Sequence, residues 1–280
     1  MFSCFGGTPS AGKREIGTIT LMGIMHEQGG VPNQDYALDV TIGGDEKVWI
    51  ACVFDGHGDD GHEISKIAAT TAKAAFEKVI AAGEKDLGKI IEKVFKEANE
   101  AVDLSEFCRT SGCTGSMCIV RGMEMAAGNV GDSSIVLCSA KGAAYHPKWH
   151  STDHRLDDDA EKARIVENGG IIYEDQYVVD KVEKNKGLMV TRTMGDVDMR
   201  PNGVICEPEI TKKKLTEDDK YIVVASDGLW DEDGMSLQYA CNVTFKHARK
   251  GPLAVSKALL KAVSADGPMD DCTIVTLSLN

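Results

Sequence analysis

The chain has 280 residues, of which 42% are apolar and only 6% aromatic, and its formal net charge is −13. That length holds one large domain or two small ones, and the apolar share can fill a sizeable, mainly aliphatic core. The acid excess argues against a general nucleic-acid binder, which needs a basic face, and no apolar run nears the roughly 20 residues that cross a bilayer. Nine cysteines, an odd count without zinc-like CxxC pairs, fit reduced thiols in a cytoplasmic or nuclear protein.

Residues 1–15 read as a flexible arm ahead of one domain over 16–280. The arm contains Gly7-Thr8-Pro9-Ser10-Ala11-Gly12-Lys13, similar to the start of a phosphate-binding loop. Arg14 then stands where Ser or Thr is needed, no strand precedes, and Pro9 interrupts the turn. A basic stretch followed by an apolar one, the mark of a secretory leader, is missing. Phe2 occupies the place where N-myristoylation needs glycine, and a palmitoyl chain on Cys4 is an alternative with little behind it.

Strands are expected at 16–24 and 36–40. The stretch 26–35 between them is expected to be a loop, because Gly29 and Gly30 oppose a helix and His26-Glu27 lacks the second histidine of a helical zinc motif. Residues 48–54 are apolar without a break and predict a strand buried on both faces. It gives way abruptly to Asp55-Gly56-His57-Gly58-Asp59-Asp60. Carboxylates, and carbonyls that glycines let approach a ligand, suit hard cations such as Mg²⁺ and Mn²⁺. Taken alone, the same stretch also reads as a solvated polar turn.

Two helices follow at 62–82 and 87–102. Ile64, Ile67, Ala68, Thr71, Ala75 and Val79 recur at helical spacing, and so do Leu87, Ile90, Ile91, Val94, Ala98 and Val102. The pair should lie side by side on one face of a sheet, with His62 and Glu63 merely beginning the first. From 112 to 146 short apolar runs alternate with turn residues, which predicts an antiparallel meander with Gly131-Asp132 in a hairpin turn. A third helix is expected at 159–168, stopped by Gly169-Gly170. The stretch 171–202 is the least regular, a short apolar strand mixed with Lys/Glu pairs and a loop over 191–196. A second buried strand at 220–226 ends on Asp227-Gly228, helices follow at 236–250 and 252–264, and Asp270-Asp271 opens a last strand at 272–279.

One aspartate at a strand end is ordinary turn chemistry. Asp55, Asp132, Asp227 and Asp270, all set beside sheets that must stack, are expected to meet at a common rim. Unpaired there, they would repel one another and resist desolvation, and cations would relieve both costs.

In this order, several short motifs resemble the metal-dependent Ser/Thr protein phosphatases of type 2C, the PPM family. They are Asn33-Gln34-Asp35; Val53-Phe54-Asp55-Gly56-His57-Gly58; Ser111-Gly112-Cys113-Thr114; Asn129-Val130-Gly131-Asp132-Ser133; Asp153-His154; Val190 through Asp196; Ala225 through Asp231; and Asp270-Asp271-Cys272-Thr273. The likeness runs from about Gly17 to Leu279. It implies an α+β fold, a four-layer αββα sandwich of two stacked antiparallel β-sheets flanked by helices. It also implies Mn²⁺- or Mg²⁺-dependent hydrolysis of phosphoserine and phosphothreonine in a phosphoprotein substrate, by a metal-activated water and without a covalent intermediate. No cysteine lies in a Cys-x5-Arg phosphate loop, which agrees. A monomer is expected.

The resemblance makes Asp55 the ligand that bridges two ions, with the Gly56 carbonyl on one of them. Asp227 and Asp270 become ligands of the other ion, and Asp35 and Gln34 reach the metals through water. Asp132 and Asp231 match a third, weaker metal site. His57 becomes the general acid for the leaving oxygen, Thr114 a hydroxyl holding a water near the metals, and Arg192 a stabiliser of the site's surroundings or a surface ion-pair residue. Phosphate monoesters need rate enhancements up to about 10²¹-fold, and two ions about 3.5–4 Å apart can clamp an in-line displacement and acidify water.

Two departures stand out. Gly30 occupies the position of a phosphate-gripping arginine, and Gln34 stands where many relatives have glutamate. The alternative to an enzyme is a pseudophosphatase acting as a binding or regulatory module. Lys181, Lys184 and Lys186 fall in the segment 153–190, where such enzymes vary with substrate.

Overall fold

The structure is a computed structural model that describes residues 14–43, 46–180, 187–230, 235–263 and 267–279. The arm with Cys4, the three lysines at 181, 184 and 186, and Asp231 lie outside the described residues. The first half of the chain forms β1 (Ile16–Leu21), α1 (Ile24–Gly29), β2 (Asp35–Ile42), β3 (Val48–His57), α2 (Gly61–Ala81) and α3 (Leu87–Asp103). Next come β4 (Gly112–Cys113), β5 (Gly115–Arg121), β6 (Glu124–Val130), β7 (Ser134–Lys141), β8 (Ala144–His150) and α4 (Asp159–Glu167). Then follow β9 (Ile171–Tyr173), β10 (Tyr177–Val179), β11 (Gly187–Leu188), β12 (Met194–Gly195) and β13 (Glu209–Lys214). The last are β14 (Asp219–Ala225), α5 (Asp227–Trp230), α6 (Leu237–His247), α7 (Pro252–Val263) and β15 (Cys272–Ser278).

One sheet runs β1-β15-β14-β7-β8, and the other runs β12-β4-β3-β5-β6-β13 with β2 beside β3. Every pairing between these strands is antiparallel. The alternation along each strand explains the stacking. On β3, Ile50, Cys52 and Phe54 pack with Ile64, Phe76, Ile91 and Phe95 of α2 and α3. Ala51 and Val53 face the opposite way and meet Ile135, Leu137, Ile222, Val224, Val275 and Leu277 of the other sheet. That sheet's far face, with Val136, Tyr221, Val223 and Ile274, is covered by Ala240, Cys241, Val255 and Leu259 of α6 and α7. The layers are therefore helix, sheet, sheet, helix, as the resemblance implied. No described helix is long and apolar enough to cross a membrane.

Three expectations need correction. Residues 24–29 form the helix α1, not a loop, and β1 stops at Leu21 to make room for it. Gly30 closes that helix at φ 68°, donating its N–H to the Glu27 carbonyl (3.4 Å) while Val31 donates to that of His26 (3.0 Å). The glycine that argued against a helix is its C-cap. Second, 112–146 is not one meander. β5 and β6 form a hairpin in one sheet, β7 and β8 in the other, and the turn at Asp132 crosses between them. Period-2 alternation is the same for either arrangement, so nothing local distinguishes them. Third, the irregular stretch carries a small sheet, β11-β10-β9, with its own core of Leu156, Ile165, Val178, Met199 and Val204.

Leu137 is 1% exposed and fills the layer between the sheets. Leu137→Ala is expected to cost about 2–5 kcal/mol in urea unfolding. Leu253→Ala, at a position 46% exposed, should stay within about 0.5 kcal/mol of wild type.

Candidate metal centre

β3 carries Asp55 out of the sandwich into the wall of a cavity of about 1140 Å³. Because β2 runs antiparallel to β3, Asp35 lies directly opposite Asp55. The end of β14 meets the start of β15 in the same way, with Ala225 opposite Ile274, so Asp227 and Asp270 emerge side by side. The crossing turn between the sheets adds Asp132. Gln34, Asp55, Gly56, His57, Thr114, Asp132, Asp227 and Asp270 all line this one cavity. Asp35 stands behind it, 8% exposed, accepting from the Ser226 hydroxyl at 2.7 Å through Oδ2.

This crowding shifts the carboxyls. Burial raises Asp35 to a pKa of about 7; hydrogen bonds from Ser226 and Thr273 resist, and the charges of Asp271 and Asp270 add to the rise. Asp55 is pushed well above the usual carboxylate range by burial and then by the charges of Asp35, Asp227, Asp132 and Asp270. The Oδ1 atom of Asp35 is buried and has no hydrogen-bond partner. A buried, unsatisfied oxygen among repelling carboxylates fits a hard divalent cation, for which oxygen is the preferred donor. Ligand atoms of His26, Asp270 and Asp271 also lie within 4.8 Å of one another.

The walls are braced by specific bonds. Asp271 accepts from the backbone N–H groups of Gly23 (2.8 Å) and Gln34 (2.6 Å), and its Oδ2 lies 2.7 Å from His26 Nδ1. A side chain at Gly56 would put a Cβ 2.2 Å from the Gly61 carbonyl oxygen and 2.7 Å from that of Gln34. Only glycine lets β3 pass so close to the start of α2. The Gln34 amide donates to the Gly58 carbonyl at 2.7 Å, a bond that a carboxylate could not make. That is a physical reason for glutamine at this position.

His57 Nε2 lies 2.6 Å from Asp196 Oδ2, and Asp196 is 2% exposed. Burial pulls the imidazole's pKa down, but the charge and hydrogen bond of Asp196, with the more distant charge of Asp132, carry it above its ordinary value. Thr114 Oγ1 accepts from the Asp55 N–H at 3.1 Å and bonds the Ser133 hydroxyl at 2.8 Å, so it fixes the backbone that presents Asp55.

Arg192 is the residue expected either to stabilise the site's surroundings or to lie in a surface ion pair. It does not line the cavity but grips Glu161, with Nη2 2.7 Å from Oε1, and donates through Nη1 to the Glu207 carbonyl at 2.8 Å. Arg164 and Thr191 hold the same carboxylate. Burial works against its ionised form, yet these donors keep Glu161 well below the usual range. Arg192 thus belongs to a part-buried ion pair with Glu161, away from the cavity lining. Gly30 sits in the left-handed region, and a Cβ there would meet nothing within 4 Å, so the expected arginine has no counterpart at this position. Three functional neighbours escaped the motif reading: Asp196 beneath His57, Asp271 as a brace, and Arg155, which ion-pairs with Asp132 and Asp227. Each of these contacts spans a long stretch of chain and leaves no local pattern.

The raised carboxyls keep their protons to higher pH in the folded chain than in the unfolded one. Without metal, stability should therefore fall as pH rises from about 4 through the Asp35 value of about 7. Thermal melts should show Mn²⁺ raising Tm more at pH 8 than at pH 5. Asp55→Asn should raise the metal-free Tm at pH 8 and remove most of the Mn²⁺ effect; an unchanged or lower metal-free Tm would contradict this.

A protein-family model described as protein phosphatase 2C matches residues 27–272. "Probable protein phosphatase 2C 2" of Oryza sativa subsp. japonica is 34% identical over 240 residues, covering 80% of this chain and 60% of that protein. The chain thus spans about 60% of the length of this relative. Among solved structures, serine-threonine phosphatase 2C from Toxoplasma gondii superposes with a TM-score of 0.76 at 20% identity, covering 97% of this chain and 96% of that one. A C. elegans sex determining protein superposes with a TM-score of 0.78 at 24% identity, covering 95% of this chain and 65% of that one. These structures share the fold. From the family match over most of its length, with the same sandwich and the carboxylates gathered at its rim, the chain belongs to the protein phosphatase 2C family.

Proposed function

We propose that the chain hydrolyses phosphoserine and phosphothreonine in proteins, dependent on Mn²⁺ or Mg²⁺. The observation that carries this reading is the meeting of Asp55, Asp132, Asp227 and Asp270 at one cavity, with the buried Asp35 Oδ1 unsatisfied behind them. In this reading Asp55 and the Gly56 carbonyl would hold a pair of ions together with Asp227 and Asp270, while Asp35 and Gln34 would support them through water. When bound, two such ions supply an acidified water and neutralise the phosphoryl oxygens. The carboxylates count against the binding-module alternative, since a surface used only for docking gains nothing from groups that repel.

The chain's own residues supply the rest. His57 is the general acid: Asp196 fixes one ring nitrogen and favours the protonated ring, leaving the other nitrogen for the departing seryl or threonyl oxygen. Thr114 and Gln34 hold the strand end and its turn, so that Asp55 and Gly56 keep their places when metals load. His26 and Arg109 also stand at the cavity wall, Arg109 paired with Asp198. With no guanidinium at Gly30, one charge-assisted bidentate contact to phosphate is missing there. A high KM is expected.

With millimolar Mn²⁺, wild type should release phosphate from phosphopeptides and Asp227→Ala should not; equal rates would refute the enzyme reading. His57→Gln should slow phosphoserine-peptide hydrolysis by about 10²–10⁴-fold. Its effect on p-nitrophenyl phosphate, whose leaving group needs no proton, should be much smaller. Equal losses on both substrates would rule out His57 as the acid.

A further inference from the structure

Arg155 is set against the crossing turn by its neighbour His154. The His154 N–H donates to the Gly131 carbonyl at 3.0 Å, and the Gly131 N–H donates to His154 Nδ1 at 3.1 Å. A β-bridge from Arg155 to Val190 fixes the other side of this backbone. The guanidinium is thereby delivered between two carboxylates of the cavity. Nε and Nη2 each lie 2.7 Å from Asp132 Oδ2, and Nη2 lies 3.4 Å from Asp227 Oδ2.

We propose that Arg155 stands in for a third metal ion: its guanidinium occupies the cation position at Asp132, so the centre holds two divalent ions and not three. The inference rests on the two-ion centre proposed above. The distances divide the roles of the two carboxylates. Arg155 approaches Asp227 only at the long limit of a hydrogen bond, 3.4 Å. Asp132 is gripped by two donors at short range and is 5% exposed. Such charge-assisted contacts are about twice as strong as neutral ones, and a part-buried pair is screened by salt less than an exposed one. A dication approaching Asp132 would have to expel the arginine or sit beside its positive charge. The arginine also balances charge where the carboxylates are densest, before any metal arrives.

The test is to count bound Mn²⁺ by equilibrium dialysis and electron paramagnetic resonance at millimolar metal. The proteins are wild type, Arg155→Met, Arg155→Lys, and Arg155→Met combined with Asp132→Asn, each checked for folding by circular dichroism. Wild type and Arg155→Lys should bind two ions. Arg155→Met should bind three, the extra one weakly, and adding Asp132→Asn should return the count to two. Three ions in wild type, or two in both wild type and Arg155→Met, would overturn the inference and leave the two-ion centre standing. Fewer than two in wild type would remove the two-ion centre and this inference with it. If Arg155→Met fails to fold, the count in wild type beside Arg155→Lys still decides: three ions in either refutes the proposal.

Discussion

Mutual repulsion among carboxylates is the constraint around which this molecule is arranged. The antiparallel register sets Asp35 directly across from Asp55, and like charges facing each other on adjacent strands destabilise a sheet. Asp132, Asp227 and Asp270 raise the cost further, as the elevated Asp55 shows. Three apolar layers hold the backbone in this unfavourable arrangement: one between the sheets and one beneath each helix pair. The site is strained in charge and the scaffold is not. That division suits a centre completed by cations, because binding energy goes into relieving repulsion and not into folding the cavity.

The polar contacts around the cluster serve the same end. Asp271 ties together backbone from the segments at Gly23 and Gln34, Ser226 spans β14 and β15 while bonding Asp35, and Thr114 joins β3 to the crossing turn. Asp35 and the backbone that presents Asp55 are thus each backed by a group held in turn by another strand. Arg155 brings compensating positive charge. The net effect is a preorganised acidic mouth; cations bound there would offset the long-range repulsion that a chain of charge −13 exerts on phosphate.

Much of this was legible from residues alone. The unbroken apolar run 48–54 predicts a strand covered on both sides, and its abrupt end on Asp55-Gly56, with the other strand-end aspartates, points to a carboxylate at a rim. The second such run placed Asp227 likewise, and the order of motifs supplied family and layers. What escaped detection had no local signature. Gly30 breaks a helix interior but also caps a helix end, and the residue type does not say which. The hairpins on either side of Asp132 alternate identically whether they share a sheet or not. The His57–Asp196 contact spans 139 residues, and nothing in either segment names its partner. Arg192 was read from the motif around it, but the buried Glu161 that claims it lies in a helix whose sequence suggests only a solvated face.

The most direct test of the central claim is anomalous diffraction at the manganese edge from crystals grown with Mn²⁺. Two peaks within coordination distance of Asp55, Asp227 and Asp270 would show that the gathered carboxylates exist to hold ions. A metal-free cavity at saturating Mn²⁺, its carboxyls protonated and bonded to one another, would contradict the account.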